Sequence, residues 1–367
     1  MWDRRQDSIV RSLSQFLGWS GDVVLASRAS LGLESTLRTW RLLHDAQLVA
    51  LAPIVCQDVV AAIESAGCRP YFVDVDGTSA EVSDTAWAAA RRAGCTVAVV
   101  VHLYGRMSDT TSVASQFDGS ECLVIDDAAQ ALGSRDTYGS AGAMGDVGLV
   151  SFGASKHIST GGAALMIRDS SFAELIAADL DSVELVDPAH ALAVEREFRI
   201  RFDIARDALL AGDGPGGNFV SLLNGYETVL RSDVDPSVMI AIPAQLDTYA
   251  SRSHERLEKA HAWRAGLTGS RLVPVEFGAG DIPWRFACRM PEASWAEQRR
   301  VADAIRRRGI FTSNWYLPAN WYISSSADAM VGAESFAREA FQFWIDETIT
   351  LDEVHRSASI VRGIVGP

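Results

Sequence analysis

Residues 122–168 read CLVIDDAAQALGSRDTYGSAGAMGDVGLVSFGASKHISTGGAALMIR, and the order of features in this stretch decides the fold. CLVID (122–126), VGLVSF (147–152) and ALMIR (164–168) are short apolar runs bounded by glycine or polar turns, the mark of strands buried on both faces. Upstream the same signal recurs in DVVLA (22–26), QLVALA (47–52, stopped by Pro53), YFVDV (71–75) and TVAVVV (96–101). Helical stretches alternate with them, after Ser27 (a candidate N-cap) and over 57–66, 83–93 and 109–117. Residues 1–20 predict an amphipathic helix with Ile9, Leu13, Phe16 and Leu17 on one face. Strands of this kind alternating with helices predict an α/β fold, a mostly parallel sheet flanked by helices. Ligands bind such sheets beyond the carboxyl ends of the strands.

Beyond residue 168 the pattern changes. Residues 170–210 are helical and charged, and AGDGPGGNF (211–219) breaks the run. That run follows a helix and carries a central proline, so it reads as a connection and not as a phosphate loop. A long helix over 236–266, kinked near Pro243, leads into a smaller C-terminal α+β part. Its expected elements are strand WRFACRM (284–290), helix 295–308, strand IFTSNW (310–315) and two closing helices. The expected division is a large domain over 1–245 and a small one over 246–367.

Composition narrows the function. The 367-residue chain carries a formal net charge of −14, which disfavours a nucleic-acid partner because no counterion release is gained. No apolar run is long enough to span a bilayer, and MWDRRQDSIV (1–10) lacks an apolar signal core, so a membrane role is not expected. The five cysteines are scattered and read as buried thiols of a reducing compartment, the cytoplasm. Seven histidines show no metal-ligand spacing. His102 reads as a packing or supporting residue.

Only two of the 33 basic residues are lysines, Lys156 and Lys259. Arginine replaces lysine on a solvated surface but cannot serve as an amine nucleophile. A lysine kept in the loop after VGLVSF therefore suggests amine chemistry. Asp127 follows the strand CLVID at the ligand edge, where a carboxylate can bind a metal, act as a base or face a protonated ring nitrogen; capping the next turn is the structural alternative. Asp126 is its rival on this argument. Ser151, at the end of its strand, can donate to a phosphate. Ser27, Arg28, Ala29 and Ser30 lie between a strand and a helix, where the free amides of the helix start face the sheet edge. A pyridoxal cofactor needs this combination of amine, phosphate donors and carboxylate.

The runs VVVHLYGRMSD (99–109), VIDDAAQALGS (124–134) and GDVGLVSFGASKHISTGG (145–162) also resemble the DegT/StrS family of pyridoxal-phosphate aminotransferases, as do YFVDVD (71–76) and SRASL (27–31). The resemblance is dense over 21–168 and thin after about 240. It implies fold type I, pyridoxal 5'-phosphate as cofactor, and a homodimer with active sites shared between subunits. It implies Asp127, not Asp126, as the pyridinium partner, Gln130 against the ring or its phenolic oxygen, and Lys156 as the cofactor-bearing lysine. Ser151, Ser27 and the backbone at Arg28 and Ala29 would hold the phosphate. The implied activity moves an amino group from a donor such as glutamate to a keto-sugar, nucleotide-linked, or a keto-cyclitol in surface-sugar or antibiotic assembly. The alternatives are another pyridoxal-phosphate reaction on a sugar, such as dehydration, and a non-catalytic regulator of the same fold. Related dehydratases replace the lysine with histidine, which argues against the first. Three departures concern the substrate pocket. PIVCQD offers Cys56 or Gln57 where the family stacks an aromatic ring, GGAA (161–164) replaces Gly-Glu-Gly-Gly, and only Asn224 or Arg231 stands for the asparagine that reaches the partner's phosphate. Arg285 in PWRF is a candidate carboxylate binder, and Trp315, Tyr316 and Trp321 are candidates for core or for a substrate wall.

Overall fold

The computed structural model describes residues 2–210, 219–323 and 329–367. Its main sheet has seven strands, β1 (Asp22–Ala26), β2 (Leu48–Leu51), β3 (Arg69–Phe72), β4 (Val97–Val101), β5 (Leu123–Asp127), β6 (Val147–Ser151) and β7 (Ala163–Ile167), in the order β1-β7-β6-β5-β4-β2-β3. Strands β2 to β6 pair in parallel, while β7 is antiparallel to both its neighbours, β6 and β1. Two antiparallel pairings in succession turn β1 to run the same way as β6. All strands except β7 therefore end at one edge, and β7 begins there.

Helices α1 (Trp2–Leu17), α2 (Ala29–His44), α3 (Gln57–Ser65), α4 (Asp84–Arg92), α5 (Thr110–Gln116), α6 (Ser170–Ser182) and α7 (Pro188–Ala208) cover the sheet. Alternation along the strands sends successive side chains to opposite layers. Leu165 and Ile167 of β7 pack with Leu33 and Leu37 of α2, whereas Ala164 and Met166 pack with Ile9 and Leu13 of α1. Burial on both faces is what the unbroken apolar strands predicted.

The C-terminal part follows α8 (Glu227–Leu230), α9 (Ile242–Asp247) and α10 (Tyr249–Gly266). It holds an antiparallel sheet of β8 (Val273–Pro274), β9 (Phe286–Arg289), β10 (Thr312–Ser313) and β11 (Ala340–Phe343), in the order β10-β11-β9-β8. Helices α11 (Trp295–Arg306), α12 (Val331–Glu339) and α13 (Leu351–Val365) accompany it. Leu317, Ala319, Trp321 and Tyr322 leave this part and join the core cluster of the main sheet.

Several elements differ from the sequence reading. Ser27 is not a cap: Arg28 holds the N-cap position of α2 and no side chain caps the helix. The expected 236–266 helix is broken into a 3₁₀ turn (Pro236–Ala241), α9 and α10. Pro236 and Pro243 each sit in a first turn, where their missing N–H is not needed, so each begins a segment. IFTSNW contributes only Thr312–Ser313 as strand, and β11 lies between the two closing helices. Of the run 211–219, residues 211–218 lie outside the described residues, while Phe219 is buried in the main core.

Asp126 anchors the edge where the strands end. Its fully buried carboxylate accepts from the amides of Gly142 (2.9 Å) and Met144 (2.8 Å), from Thr110 Oγ1 (3.3 Å) and from His102 Nε2–H (2.5 Å). His102 Nδ1 in turn accepts from the Ser108 amide (2.9 Å). The turn at Gly142 lies so close to β6 that a Cβ on Gly148 would meet the Gly142 carbonyl oxygen at 1.8 Å. Asp126→Ala strands several buried donors at once, so urea unfolding should show a loss of roughly 3 kcal/mol or more. An unchanged denaturation midpoint would contradict this structural role.

Candidate active site

A cavity of about 590 Å³ opens at the edge where the strands end. The register explains how distant residues meet there. Ala163 at the start of β7 pairs with Ala26 on one side and Ser151 on the other, so Ser27 and Ser151 flank the same strand. Asp127 pairs with Leu149, two residues before Ser151 on the adjacent strand. Ser27, Arg28, Ala29, Asp127, Gln130, Ser151 and Lys156 all line the cavity.

Strand alternation separates the two aspartates. Asp126 points away and is consumed by its four donors, while Asp127 faces the cavity and, among the described residues, accepts only the Ala129 amide (2.9 Å). Burial pushes the Asp127 carboxyl above its usual range, opposed by the Ala129 amide, Lys156 and His102. Gln130 is held from both ends: its Oε1 accepts from the Tyr104 amide (2.9 Å) and its Nε2 donates to Tyr316 Oη (3.0 Å).

Phosphate donors are available beside Ser151. The first intrahelical bond of α2 runs from Gly32 N–H to Arg28 O (3.0 Å), so the preceding amides of the first turn remain open. Ser27 Oγ is buried and has no hydrogen-bond partner among the described residues. A buried hydroxyl without a partner costs free energy unless a ligand satisfies it. These residues fit pyridoxal phosphate, with Ser27, Ser151 and the α2 amides for its phosphate, Asp127 for its ring nitrogen and Lys156 for its aldehyde carbon.

Lys156 sits in the loop after β6, with its Nζ 5.2 Å from the centre of the Trp284 ring. The next residue, His157, is fully enclosed; burial, reinforced by Arg256, pushes its imidazole well below the ordinary value. The neutral ring donates from Nε2 to the Gln130 carbonyl (3.0 Å), and its Nδ1 stands 3.0 Å from the Tyr249 hydroxyl, which donates to the Leu132 carbonyl.

The arginines around the cavity are paired. Arg28 meets Asp58 (3.2 Å), Arg199 meets Glu195 (2.6 Å) and Arg285 meets Asp346 (2.6 Å). Arg285 is buried and lies between the rings of Trp284 (4.8 Å) and Trp344 (4.1 Å). Trp315 and Tyr316 line the cavity, whereas Trp321 belongs to the core. Cys56 and Gln57 also line it; burial, with Asp58 beside it, pushes the Cys56 thiol far up. Arg231 binds Glu34 (2.8 Å) and Asn224 is exposed, and neither lines the cavity.

Sequence reasoning missed the contribution of α7. Glu195, Phe198 and Arg199 line the cavity, and their spacing of three and four was a legible one-face signal. It also passed over Trp284 and Trp344, whose apolar surroundings read as core. A wider cleft of about 1000 Å³ lies elsewhere, between 78–81, 135–137 and 273–281. Its groups are occupied: Arg106 binds Glu81, and Asp281 accepts from the Met107 and Gly278 amides.

The raised Asp127 gives a stability prediction with a definite sign. Above its folded pKa the cofactor-free protein must bury an anion, whereas below its ordinary value of 3.8 the carboxyl is neutral in both folded and unfolded states. The stability contributed by the raised group is therefore lost as pH rises. Asp127→Asn should melt at or above the temperature of wild-type cofactor-free protein at neutral pH, and this difference should shrink on acidification. A clearly lower melting temperature at neutral pH would assign Asp127 a structural role instead.

Residues 4–190 match the DegT/DnrJ/EryC1/StrS aminotransferase family. Protein MosB of Rhizobium meliloti is 25% identical over 316 residues, 84% of this chain and 59% of MosB, so the chain spans well under two thirds of that relative. The dTDP-3-amino-3,4,6-trideoxy-alpha-D-glucose transaminase of Micromonospora megalomicea is 38% identical over 94 residues, 25% of each protein. Among solved structures, the aminotransferase TlmJ from Streptoalloteichus hindustanus superposes with a TM-score of 0.76 at 21% identity, covering 98% of this chain and 90% of TlmJ. The same fold type I architecture has been solved in PLP and PMP forms. No described helix is long and apolar enough to cross a membrane. With the sheet, the cavity and the match over residues 4–190 in agreement, the chain belongs to the DegT/DnrJ/EryC1/StrS aminotransferase family, whose cofactor is pyridoxal phosphate.

Proposed function

We propose that this protein transfers an amino group from an amino-acid donor such as glutamate to a ketone on a sugar, nucleotide-linked, or on a cyclitol. The observation that carries this reading is the meeting of Lys156, Asp127 and the partnerless Ser27 hydroxyl around one cavity. When bound, pyridoxal phosphate supplies an electron-withdrawing ring that stabilises negative charge at the carbon losing a proton.

The residues of the chain do the rest. Ser27, Ser151 and the α2 amides bind the phosphate and set the depth of the ring. Asp127 holds a proton at the ring nitrogen, and the low local dielectric strengthens that pairing. Gln130, fixed by Tyr104 and Tyr316, lies against the ring or its phenolic oxygen. Lys156 Nζ takes the proton from the donor's α-carbon and returns a proton in the second half-reaction, to the carbon that receives the amine. Arg285 pairs with Asp346 through Nη1, and its cavity side suits the donor's carboxylate. The aromatic walls from Trp315, Tyr316 and Phe198 suit the face of a sugar or cyclitol ring.

A homodimer accompanies this reading. The outer face of α7 carries Leu192, Ile200 and Ile204 exposed at 44%, 62% and 66%, on the helix whose Glu195 and Arg199 line the cavity. An apolar stripe beside a site suits a second copy. Sedimentation should find dimers, and the double variant Ile200→Glu, Ile204→Glu should shift them toward monomer; a monomeric wild type would remove this part.

The direct test is borohydride reduction with peptide mapping, then single-turnover amino transfer from glutamate. The pyridoxyl label is expected on Lys156, and Asp127→Asn should slow transfer roughly 10²–10⁴-fold. A label on Lys259 would refute the assignment. Cofactor capture on Lys156 with no transfer from any amino-acid donor would instead favour the non-catalytic regulator.

A further inference from the structure

Lys156 lies on the loop after β6, where its carbonyl accepts from Ser159 Oγ (3.0 Å). Ala154 and Ser155 are exposed, and Ser155 adopts a left-handed backbone (φ 66°), a conformation that residues with a side chain rarely hold without outside help. Within the loop, the Lys156 amide donates to the Gly153 carbonyl (3.1 Å). The Ser155 carbonyl accepts from the indole Nε1–H of Trp284 at 2.6 Å, across 129 residues of sequence. The same indole presents its face to Lys156 Nζ at 5.2 Å.

Trp284 can do this because its own backbone is fastened to the edge of the main sheet. Residues 280–284 form a strap along residues 104–107 and 134–135. The Trp284 amide donates to the Tyr104 carbonyl (2.8 Å), the Ile282 amide to Ser134 Oγ (2.8 Å) and the Arg135 amide to the Gly280 carbonyl (3.0 Å). The approach is close enough that Gly105, with φ 94°, has no room for a side chain: its Cβ would meet the Ile282 carbonyl oxygen at 2.1 Å. The Arg285 guanidinium also stands over Trp284, 4.8 Å from the ring, and pairs with Asp346.

We propose that Trp284 is a positioning residue for Lys156, its N–H fixing the left-handed turn at Ser155 and its ring holding the amine toward the cavity. The strap thereby ties the amine to Tyr104, whose amide also fixes Gln130. This inference rests on Lys156 being the reactive amine, so the test keeps the two apart.

The test uses cofactor-free full-length protein, wild type, Trp284→Phe and Trp284→Leu. One readout is hydrogen exchange of the amides at 153–157. The other is acetylation of Lys156 by dilute acetic anhydride, read by mass spectrometry against Lys259, which is buried and donates to the Asp346 carbonyl (2.9 Å). Because the chain has only these two lysines, the second serves as an internal reference. Loss of the N–H in Trp284→Phe should speed exchange about tenfold while leaving acetylation nearly unchanged, since one hydrogen bond is worth about 1 kcal/mol or somewhat more. Trp284→Leu should speed both. Wild-type rates for both readouts in folded Trp284→Leu would overturn the proposal, and should that variant fail to fold, unchanged exchange in Trp284→Phe would overturn it equally. Borohydride capture by wild type tests the reactive amine separately: a label away from Lys156 refutes that reading whatever the tryptophan variants do.

Discussion

The two-residue period of a strand is the constraint on which this site depends. Because successive side chains of β5 point to opposite faces, Asp126 and Asp127 cannot share a role. One carboxylate is turned into the protein and ties the 142–144 turn, Thr110 and His102 to the end of the strand. The other is left on the cavity, poorly solvated and with a single amide donor. The first is compensated by its donors; the second is a deficit that a cation at the ligand can relieve. A slip of one residue in β5 would exchange these fates and remove both the anchor and the site.

Charge around the cavity follows the same division. Arg28, Arg199 and Arg285 each lie against a carboxylate, which fixes the guanidinium and mutes its charge. Lys156 has an aromatic face as its neighbour instead. Among the described residues no carboxylate forms an ion pair with this amine, although Asp127 is near enough that Lys156 draws its carboxyl down against the effect of burial. Asp58 and Glu195 also line the cavity, but each lies against an arginine, Arg28 and Arg199.

Much of this was legible in the sequence, and the reasons for success and failure are physical. Strands buried on both faces leave continuous apolar runs, so β2, β4, β5 and β6 could be read directly, and with them the positions of Asp127, Ser151 and Lys156. The scarcity of lysine pointed to Lys156 by chemistry alone. Direction left no trace: nothing in ALMIR distinguishes the reversed β7 from a parallel neighbour, although that reversal sets Ser27 beside Ser151. AFQF (340–343) was hidden because four residues following a helix give too short a window for a period of two. Trp284 and Trp344 were beyond reach for another reason. Their importance lies in contacts distant in sequence, with Ser155 for Trp284 and with Arg285 for Trp344, and aromatic residues near apolar strands look like core in any sequence.

The strap from 280 to 284 gives the cavity a place in time as well as in space. Every strand of the main sheet is complete by residue 167, and Ser27, Asp127, Gln130, Ser151 and Lys156 lie within that span. Trp284, which stands over Lys156, and the cavity-lining residues 315–316 and 344 come later in the chain. A chain emerging from the ribosome amino end first can form its sheet while the site still lacks one side. Contacts separated by 129 residues (Trp284 to Ser155) and by 211 (Tyr104 to Trp315) close long loops and form late. Lys156 is thus enclosed only after the C-terminal part has folded, well after the sheet that carries it is complete.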